Sequence, residues 1–108
     1  MVVSALQMFT LDRAAAAEFL EVYQGVLPEF DDAVAEMCTG PLLAMEVLNP
    51  CGELRELVGP WDVEMAKELR PKSIRAAFGV DRVHNAVHCT DLPEDGPSEC
   101  AYFFDLLQ

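Results

Sequence analysis

The stretch that decides the fold is NAVHCTD, Asn85–Asp91, which places a histidine between an amide and a carboxylate. A histidine in such a stretch can be a nucleophile, a metal ligand or a packed side chain at the end of a strand. On residue types alone, the packed and hydrogen-bonded histidine is the commonest of the three. The surroundings of His88 along the chain are therefore needed to choose among them.

The rest of the chain predicts one α+β domain, residues 1–108, in which helices pack on an antiparallel sheet. Apolar patterns predict strands at Val2–Thr10, Pro41–Leu48 (a buried central strand) and Asn85–His88. Helical spacing, with Thr10 or Asp12 and Asp62 as caps, predicts helices at Leu11–Val22, Pro28–Met37, Glu53–Val58, Val63–Leu69 and Glu99–Leu107. Loops are predicted at Arg70–Val83 and Leu92–Glu99, and a turn at residues 49–52. Three strands are few for a sheet that carries this much helix.

The charge and hydropathy patterns argue against nucleic acid and a membrane span, and they are compatible with a small anion as ligand. The net charge is −12, which repels nucleic acid, and no apolar run reaches the ~18 residues that a membrane span needs. Six of the seven Lys and Arg residues lie in Arg55–Arg82, a stretch of net charge +1, whereas the remainder carries −13. These cations either form solvated surfaces or hold a small anion near His88.

The four cysteines are Cys38, Cys51, Cys89 and Cys100, and no two form a C-x-x-C pair. Because no secretory signal precedes them, we predict reduced thiols in an intracellular protein. A zinc site built from histidines and cysteines of residues 84–100 matches no closed ligand spacing and is the weaker interpretation.

The residues around His88 suit phosphoryl transfer. A neutral imidazole is a good nucleophile toward phosphorus when a carboxylate such as Glu99 holds its other nitrogen. Cations such as Arg55, Lys72 and Arg75 can hold phosphate oxygens, which is most of what this reaction requires. No G-x-x-x-x-G-K-[ST] loop is present, so a P-loop is excluded.

Five collinear motifs resemble nucleoside diphosphate kinases. NAVHCTD resembles the active-site pattern N-x-x-H-[GC]-[ST]-D of that family. MCTGPLLAM resembles M-x-[ST]-G-P-x-x-A-M, RELVG resembles R-x-x-x-G, RPKSIRAAFG resembles K-P-G-[ST]-[IL]-R, and SECAYFF resembles E-[IV]-x-x-[WY]-F. Together they favour the nucleophile over the packed histidine.

The resemblance implies a fold and a set of roles. The fold is a ferredoxin-like antiparallel sheet with helices packed on it. The reaction is ping-pong transfer of a γ-phosphate from a nucleoside triphosphate to a nucleoside diphosphate through phospho-His88, with Mg²⁺ arriving on the nucleotide and no metal site on the protein. Glu99 orients the ring and Thr90 supports it. The residues implied in nucleotide binding are Arg55, Arg75, Asn85 (ribose), Tyr23 and Trp61.

Three departures from the family pattern bear on activity. The family's first strand and helix, with a lysine in A-x-x-K-P-D, have no counterpart before Met1, so we expect a fragment or a gap that another segment fills. Glu29 and Arg82 stand where the family clamps the base between an aromatic and an aliphatic residue. The loop from Gly59 to Arg75 is longer than in the family, which argues against the family's hexamer.

The stretch AVHCTDLPEDG most resembles the C-terminal kinase domain of the ciliary, tandem-domain branch of the family. That resemblance implies a cytoskeletal location in the axoneme of cilia and contact with tubulin and other axonemal proteins. Two functions remain open: a kinase, with activity expected of the parent protein rather than of these 108 residues alone, or a catalytically weak structural module of doublet microtubules. The sequence leaves base preference, oligomeric state and binding partner undetermined.

Overall fold

A computed structural model of the chain describes residues 1–48 and 52–108, and it confirms the predicted α+β class. The elements follow in the order β1 (Val2–Phe9), α1 (Arg13–Phe19), a 3₁₀ turn (Glu21–Tyr23), α2 (Phe30–Met37), β2 (Leu42–Leu48), α3 (Glu53–Val58), α4 (Val63–Leu69), α5 (Ile74–Phe78), a second 3₁₀ turn (Pro93–Asp95), α6 (Gly96–Ala101) and a π-helix (Tyr102–Leu106). None of these helices is long and apolar enough to cross a membrane. The predicted turn at residues 49–52 lies almost wholly outside the described residues.

Strands β1 and β2 pair antiparallel, with an irregularity in register between Val3 and Ala5. Phe9 and Ala44 are buried on the inner face. The outer face is apolar but 48–63% exposed, and its central side chains are Leu6, Met8, Leu43 and Met45. The prediction that Pro41–Leu48 is a buried central strand is therefore wrong for the described residues, in which β2 pairs with β1 alone and nothing covers its outer face.

The core lies between the inner sheet face and helices α1, α2 and the π-helix. Its aromatic rings pack edge to face, with centroid distances of 5.1 Å for Phe9–Phe103 and 4.8 Å for Phe19–Phe103. Asp12 accepts a hydrogen bond from the Ala15 amide at 2.8 Å, so the predicted cap of α1 is confirmed. The helix ends earlier than the predicted Val22 because Leu20, at ψ 11°, leaves helical geometry.

The prediction of a loop over Arg70–Val83 is wrong in its centre, where α5 forms. The Ser73 side chain accepts a hydrogen bond from the Ala76 amide at 3.2 Å and so starts the helix. The helix ends at Gly79. A Cβ atom at this position would lie 2.6 Å from the Arg75 carbonyl oxygen and from a Val63 methyl group, so only glycine fits here. The short helix is thus packed tightly against α4.

Two predictions in the last quarter of the chain are also wrong. Asn85–His88 is not a strand among the described residues: Ala86 adopts φ 76°, which interrupts extended geometry, and the Val87 amide bonds to the carbonyl of Asn85 at 3.0 Å. Leu92–Glu99 is not a loop, because the 3₁₀ turn leads directly into α6, with Pro97 in the first turn. The last helix therefore begins at Gly96, three residues before the predicted Glu99, and Glu99 lies in its first turn.

Candidate active site

The two ring nitrogens of His88 have different environments. Nε2 lies 2.9 Å from Oε1 of Glu99, and the hydroxyl of Thr90 donates to the same oxygen at 3.1 Å. Nδ1 is buried and has no hydrogen-bond partner among the described residues. An ionised carboxylate only accepts hydrogen bonds, so Glu99 places the proton of a neutral ring on Nε2 and leaves the lone pair on Nδ1.

Aromatic rings hold the imidazole on its sides. Phe19 meets His88 edge to face at 5.2 Å, and Tyr23 does so at 6.0 Å. The Tyr23 hydroxyl donates a hydrogen bond to Asp91, and burial together with this carboxylate raises the pKa of Tyr23. Tyr23 consequently stays protonated and keeps Asp91 in place three residues after His88.

Arg75 is buried, although arginine is rarely so. Its two terminal nitrogens donate to the carbonyls of Gly59 at 3.0 Å and Val87 at 2.9 Å, and its guanidinium carbon lies 5.4 Å from the centre of the Trp61 ring. Burial lowers the pKa of Arg75, and the charge of Arg55 acts in the same direction. Arg75 Nε and Trp61 Nε1 are buried, and neither has a hydrogen-bond partner in the part of the chain that the structure describes.

A cavity of about 460 Å³ opens beside this arginine. Its polar and aromatic lining includes Arg55, Trp61, Arg75, Cys89 and Asp91. His88 is the sequence neighbour of a lining residue but does not itself line the cavity. Three arginines line the cavity, of which Arg70 is paired with Glu56, so Arg55 and Arg75 together with the indole N–H of Trp61 favour a ligand with several anionic oxygens.

Comparison with known proteins supports the same interpretation. A family model described as "Nucleoside diphosphate kinase" matches residues 1–108. The nucleoside diphosphate kinase of Aquifex aeolicus is 37% identical over 108 residues, an alignment that covers 98% of this chain and 75% of that protein. The chain belongs to the nucleoside diphosphate kinase family.

Other relatives agree with this membership. The mouse "Nucleoside diphosphate kinase homolog 7" is 56% identical over 106 residues, which cover 96% of this chain but only 27% of the mouse protein. The chain thus spans about a quarter of the length of that relative. A crystal structure of the Aquifex enzyme superposes with a TM-score of 0.87, covering 98% of this chain and 76% of the other. The structure of the Halobacterium salinarum enzyme in complex with CDP has a TM-score of 0.79 at 28% identity, covering 95% and 68%. The predicted resemblance is confirmed.

The structure gathers most of the predicted site residues of this nucleoside diphosphate kinase domain. His88, Glu99 and Thr90 are joined by hydrogen bonds, and Tyr23 and Trp61 pack together at 5.7 Å. The predicted Arg55 and Arg75 line the cavity with Trp61. Asn85 is apart from this group: its side-chain amide donates to the Arg82 carbonyl at 3.2 Å, and its predicted ribose contact stays a prediction.

The zinc interpretation receives no support from the described residues, which contain no cluster of three or more side chains placed to hold a metal. Cys38, Cys89 and Cys100 are free thiols, as predicted, and Cys51 lies outside the described residues. Burial raises the pKa of Cys89, so this thiol beside His88 is a poor nucleophile.

Sequence reasoning missed three contributors to this kinase-family site. Phe19 packs on His88, and no local motif signals it. The carbonyls of Gly59 and Val87 hold Arg75 through contacts 16 and 12 residues apart in sequence. Asp91 stood in the NAVHCTD motif, and its contact with Tyr23 across 68 residues gives it a structural partner there.

Proposed function

We propose that this domain transfers the γ-phosphate of a nucleoside triphosphate to a nucleoside diphosphate through a phosphohistidine at His88. The proposal rests on the different environments of the two ring nitrogens of His88. Glu99 lies at Nε2, whereas Nδ1 has no hydrogen-bond partner among the described residues. A nucleophile toward phosphorus needs a ring nitrogen with a free lone pair, and the residue after His88, Cys89, lines the cavity that Arg55 and Arg75 also line.

In the first half-reaction, the Nδ1 lone pair attacks the γ-phosphorus. A bond forms between Nδ1 and phosphorus, the bond from phosphorus to the bridging oxygen breaks, and the diphosphate leaves with that electron pair. The phosphorylated ring becomes cationic, and Glu99 stabilises it through the Nε2 proton. In the second half-reaction, a terminal oxygen of another diphosphate attacks the phosphorus and the electron pair returns to Nδ1.

The cavity supplies the charge stabilisation that this transfer needs. Arg75 is held rigidly by two carbonyls, with its charge beside the cavity, and the exposed Arg55 can move toward a phosphate. The unpartnered Trp61 N–H adds a neutral donor. Donors fixed before the reaction stabilise phosphoryl transfer because they need no reorganisation as charge develops.

The nucleotide is proposed to bring Mg²⁺. Mg²⁺ in phosphate sites uses one or two carboxylates together with substrate oxygens, and the cavity is lined by two, Asp91 and the Arg70-paired Glu56, which fits that requirement. When bound, the ion neutralises negative charge on the phosphates. The CDP bound to the Halobacterium relative supports a nucleoside phosphate as ligand.

The test is labelling with ATP carrying a radioactive γ-phosphate, in the protein at its natural full length. The expected product is an acid-labile phosphate that unlabelled GDP removes. His88→Gln should abolish the label. The label is located by peptide mapping to residues 1–108, which contain only two histidines, and label that survives there in the variant would lie on His84 or on another residue and would reject the proposal.

A second candidate is a structural role in ciliary doublet microtubules, bound to tubulin or other axonemal proteins. It is favoured by the exposed apolar outer face of β1 and β2, a kind of surface that marks interaction sites. The His88→Gln protein, expressed in cells that lack the wild type, separates the two. Axonemal location and restored cilia would support the structural role, and cilia that remain defective despite normal protein levels would support the kinase.

A further inference from the structure

The segment of residues 80–88, which leads to the active histidine, has no sheet to hold it in the described structure. Its main-chain hydrogen bonds join residues of the same segment: the Val80 amide bonds to the His84 carbonyl at 2.7 Å, and the Val87 amide to the Asn85 carbonyl at 3.0 Å. Arg75 anchors the end of the segment through the Val87 carbonyl. The position of the first half must therefore come from side chains.

Two charged contacts join that first half to helix α2. Arg82 Nε lies 2.8 Å from a carboxylate oxygen of Glu29, and His84 Nε2 lies 2.8 Å from one of Glu36. Glu29 immediately precedes α2 and Glu36 lies in its last turn. The seven-residue spacing is two helical turns, which puts both carboxylates on one side of the helix, about 10 Å apart. Two separated contacts determine the direction of the segment as well as its position.

Charge is matched at both contacts. Arg82 lowers the pKa of Glu29 by its side-chain hydrogen bond. His84 is enclosed by carboxylates: Asp81 lies 3.0 Å from Nδ1, Glu36 is at Nε2, and Asp32 of α2 faces it at longer range. The Asp81 carboxylate also accepts the His84 amide at 2.7 Å, which stabilises the turn that presents the ring.

Arg82 links this contact to the site. Its side chain binds Glu29, and its carbonyl accepts the Asn85 side-chain amide at 3.2 Å. Asn85 precedes His88 by three residues. We propose that the contacts Glu29–Arg82 and Glu36–His84 form a charge clasp that orders the 80–88 segment for nucleotide binding, so that Arg82 and His84 are positioning residues. The inference rests on the proposed function where it concerns nucleotides.

The test combines hydrogen exchange of the 80–88 amides with equilibrium binding of ADP, in the protein at its natural full length. Arg82→Ala should speed exchange in this segment and weaken ADP binding by about two- to five-fold, the range that an exposed ion pair supplies. The charge-swapped double variant Glu29→Arg/Arg82→Glu should recover both quantities. Labelling of His88 at saturating ATP should change less than ADP affinity.

The matched control is Arg13→Ala, which removes the other arginine that faces α2, paired with Asp31 at 4.0 Å on its exposed surface. It should change neither exchange in residues 80–88 nor ADP affinity. Unchanged exchange in Arg82→Ala, unchanged ADP affinity, or no recovery in the swapped protein would each overturn the clasp. Absence of label on wild-type His88 would instead reject the kinase proposal and leave the exchange result to decide the clasp.

Discussion

Replacing Glu99 by alanine tests most directly whether this carboxylate keeps the proton on Nε2 of His88 and leaves the lone pair on Nδ1. In the structure one oxygen of Glu99 accepts from His88 Nε2 at 2.9 Å and from the Thr90 hydroxyl at 3.1 Å. Both the histidine and the glutamate side chains are about one-fifth exposed, so water can replace the lost contact only in part. The variant therefore loses the group that selects the ring tautomer and orientation.

The magnitude follows from the type of bond. A hydrogen bond to a charged group contributes about 1.5–3 kcal/mol, which corresponds to about 10- to 150-fold in the preference for the reactive ring arrangement. We expect Glu99→Ala to slow single-turnover phosphorylation of His88 by about 10- to 100-fold. Thr90→Val removes only a supporting bond and should slow it by about two- to ten-fold.

The assay is rapid-quench labelling of His88 with saturating labelled ATP, which isolates the chemical step from binding. Nitrogen chemical shifts of His88 give a readout independent of activity: wild type should carry the proton on Nε2, and Glu99→Ala should show a mixture. Glu94→Ala, a neighbouring acidic residue that is exposed, serves as control. A Glu99→Ala protein that labels at the wild-type rate, or a larger effect from Thr90→Val, would refute the reasoning.

Three further predictions concern the arginine, the indole and the second histidine. Arg75→Met leaves the carbonyls of Gly59 and Val87 without their donors, and relief of the buried charge offsets part of this loss. We expect the free energy of unfolding to fall by about 2–4 kcal/mol. Urea unfolding measures the change, and an unchanged midpoint would contradict the prediction. Trp61→Phe keeps a ring beside the guanidinium but removes the N–H, so ADP affinity should fall by about two- to ten-fold with stability unchanged, and full affinity would exclude the indole as a phosphate donor. The pKa of His84 is raised in the folded state by neighbouring carboxylates, so its stabilising contribution is complete below about pH 6.5 and is lost as pH rises through the raised value. Hydrogen exchange in residues 80–88, corrected for intrinsic rates, should therefore accelerate over that range, and His84→Gln should remove this dependence.

Local signals predicted the elements whose determinants are close in sequence. Helices α3 and α4 were predicted at their observed bounds because Gly59-Pro60 ends the first and the carboxylate of Asp62 caps the second. Helix α5 was missed because five residues between a proline and a glycine show little periodicity, although Ser73 is an ordinary cap. The residue pattern at 85–88 predicts a strand. A stable strand also requires a neighbouring strand, and the local pattern carries no information on whether one is present.

The candidate site divides in the same way. The motif around His88 predicted the candidate nucleophile, and the motif of the last helix predicted its partner Glu99, because both depend on residue type and order. Clustering of the cations between Arg55 and Arg82 was compatible with either an anion site or solvated surface charges, and sequence alone did not choose between them. Neither the burial of Arg75 nor its two carbonyl partners could be anticipated, since arginine is usually exposed and its acceptors lie in two different segments.

By itself, the sequence determined which reactive side chains the protein contains, that Asp12 and Asp62 cap two of its helices, and the family to which its motifs belong. Tertiary structure decided which nitrogen of His88 is free, because the carboxylate at Nε2 comes from a helix eleven residues away. It also decided that Tyr23 holds Asp91 and that Glu29 holds Arg82, pairs separated by 68 and 53 residues. Such contacts depend on how distant elements pack, and packing is set by shape and burial across the whole domain rather than by any local run of residues.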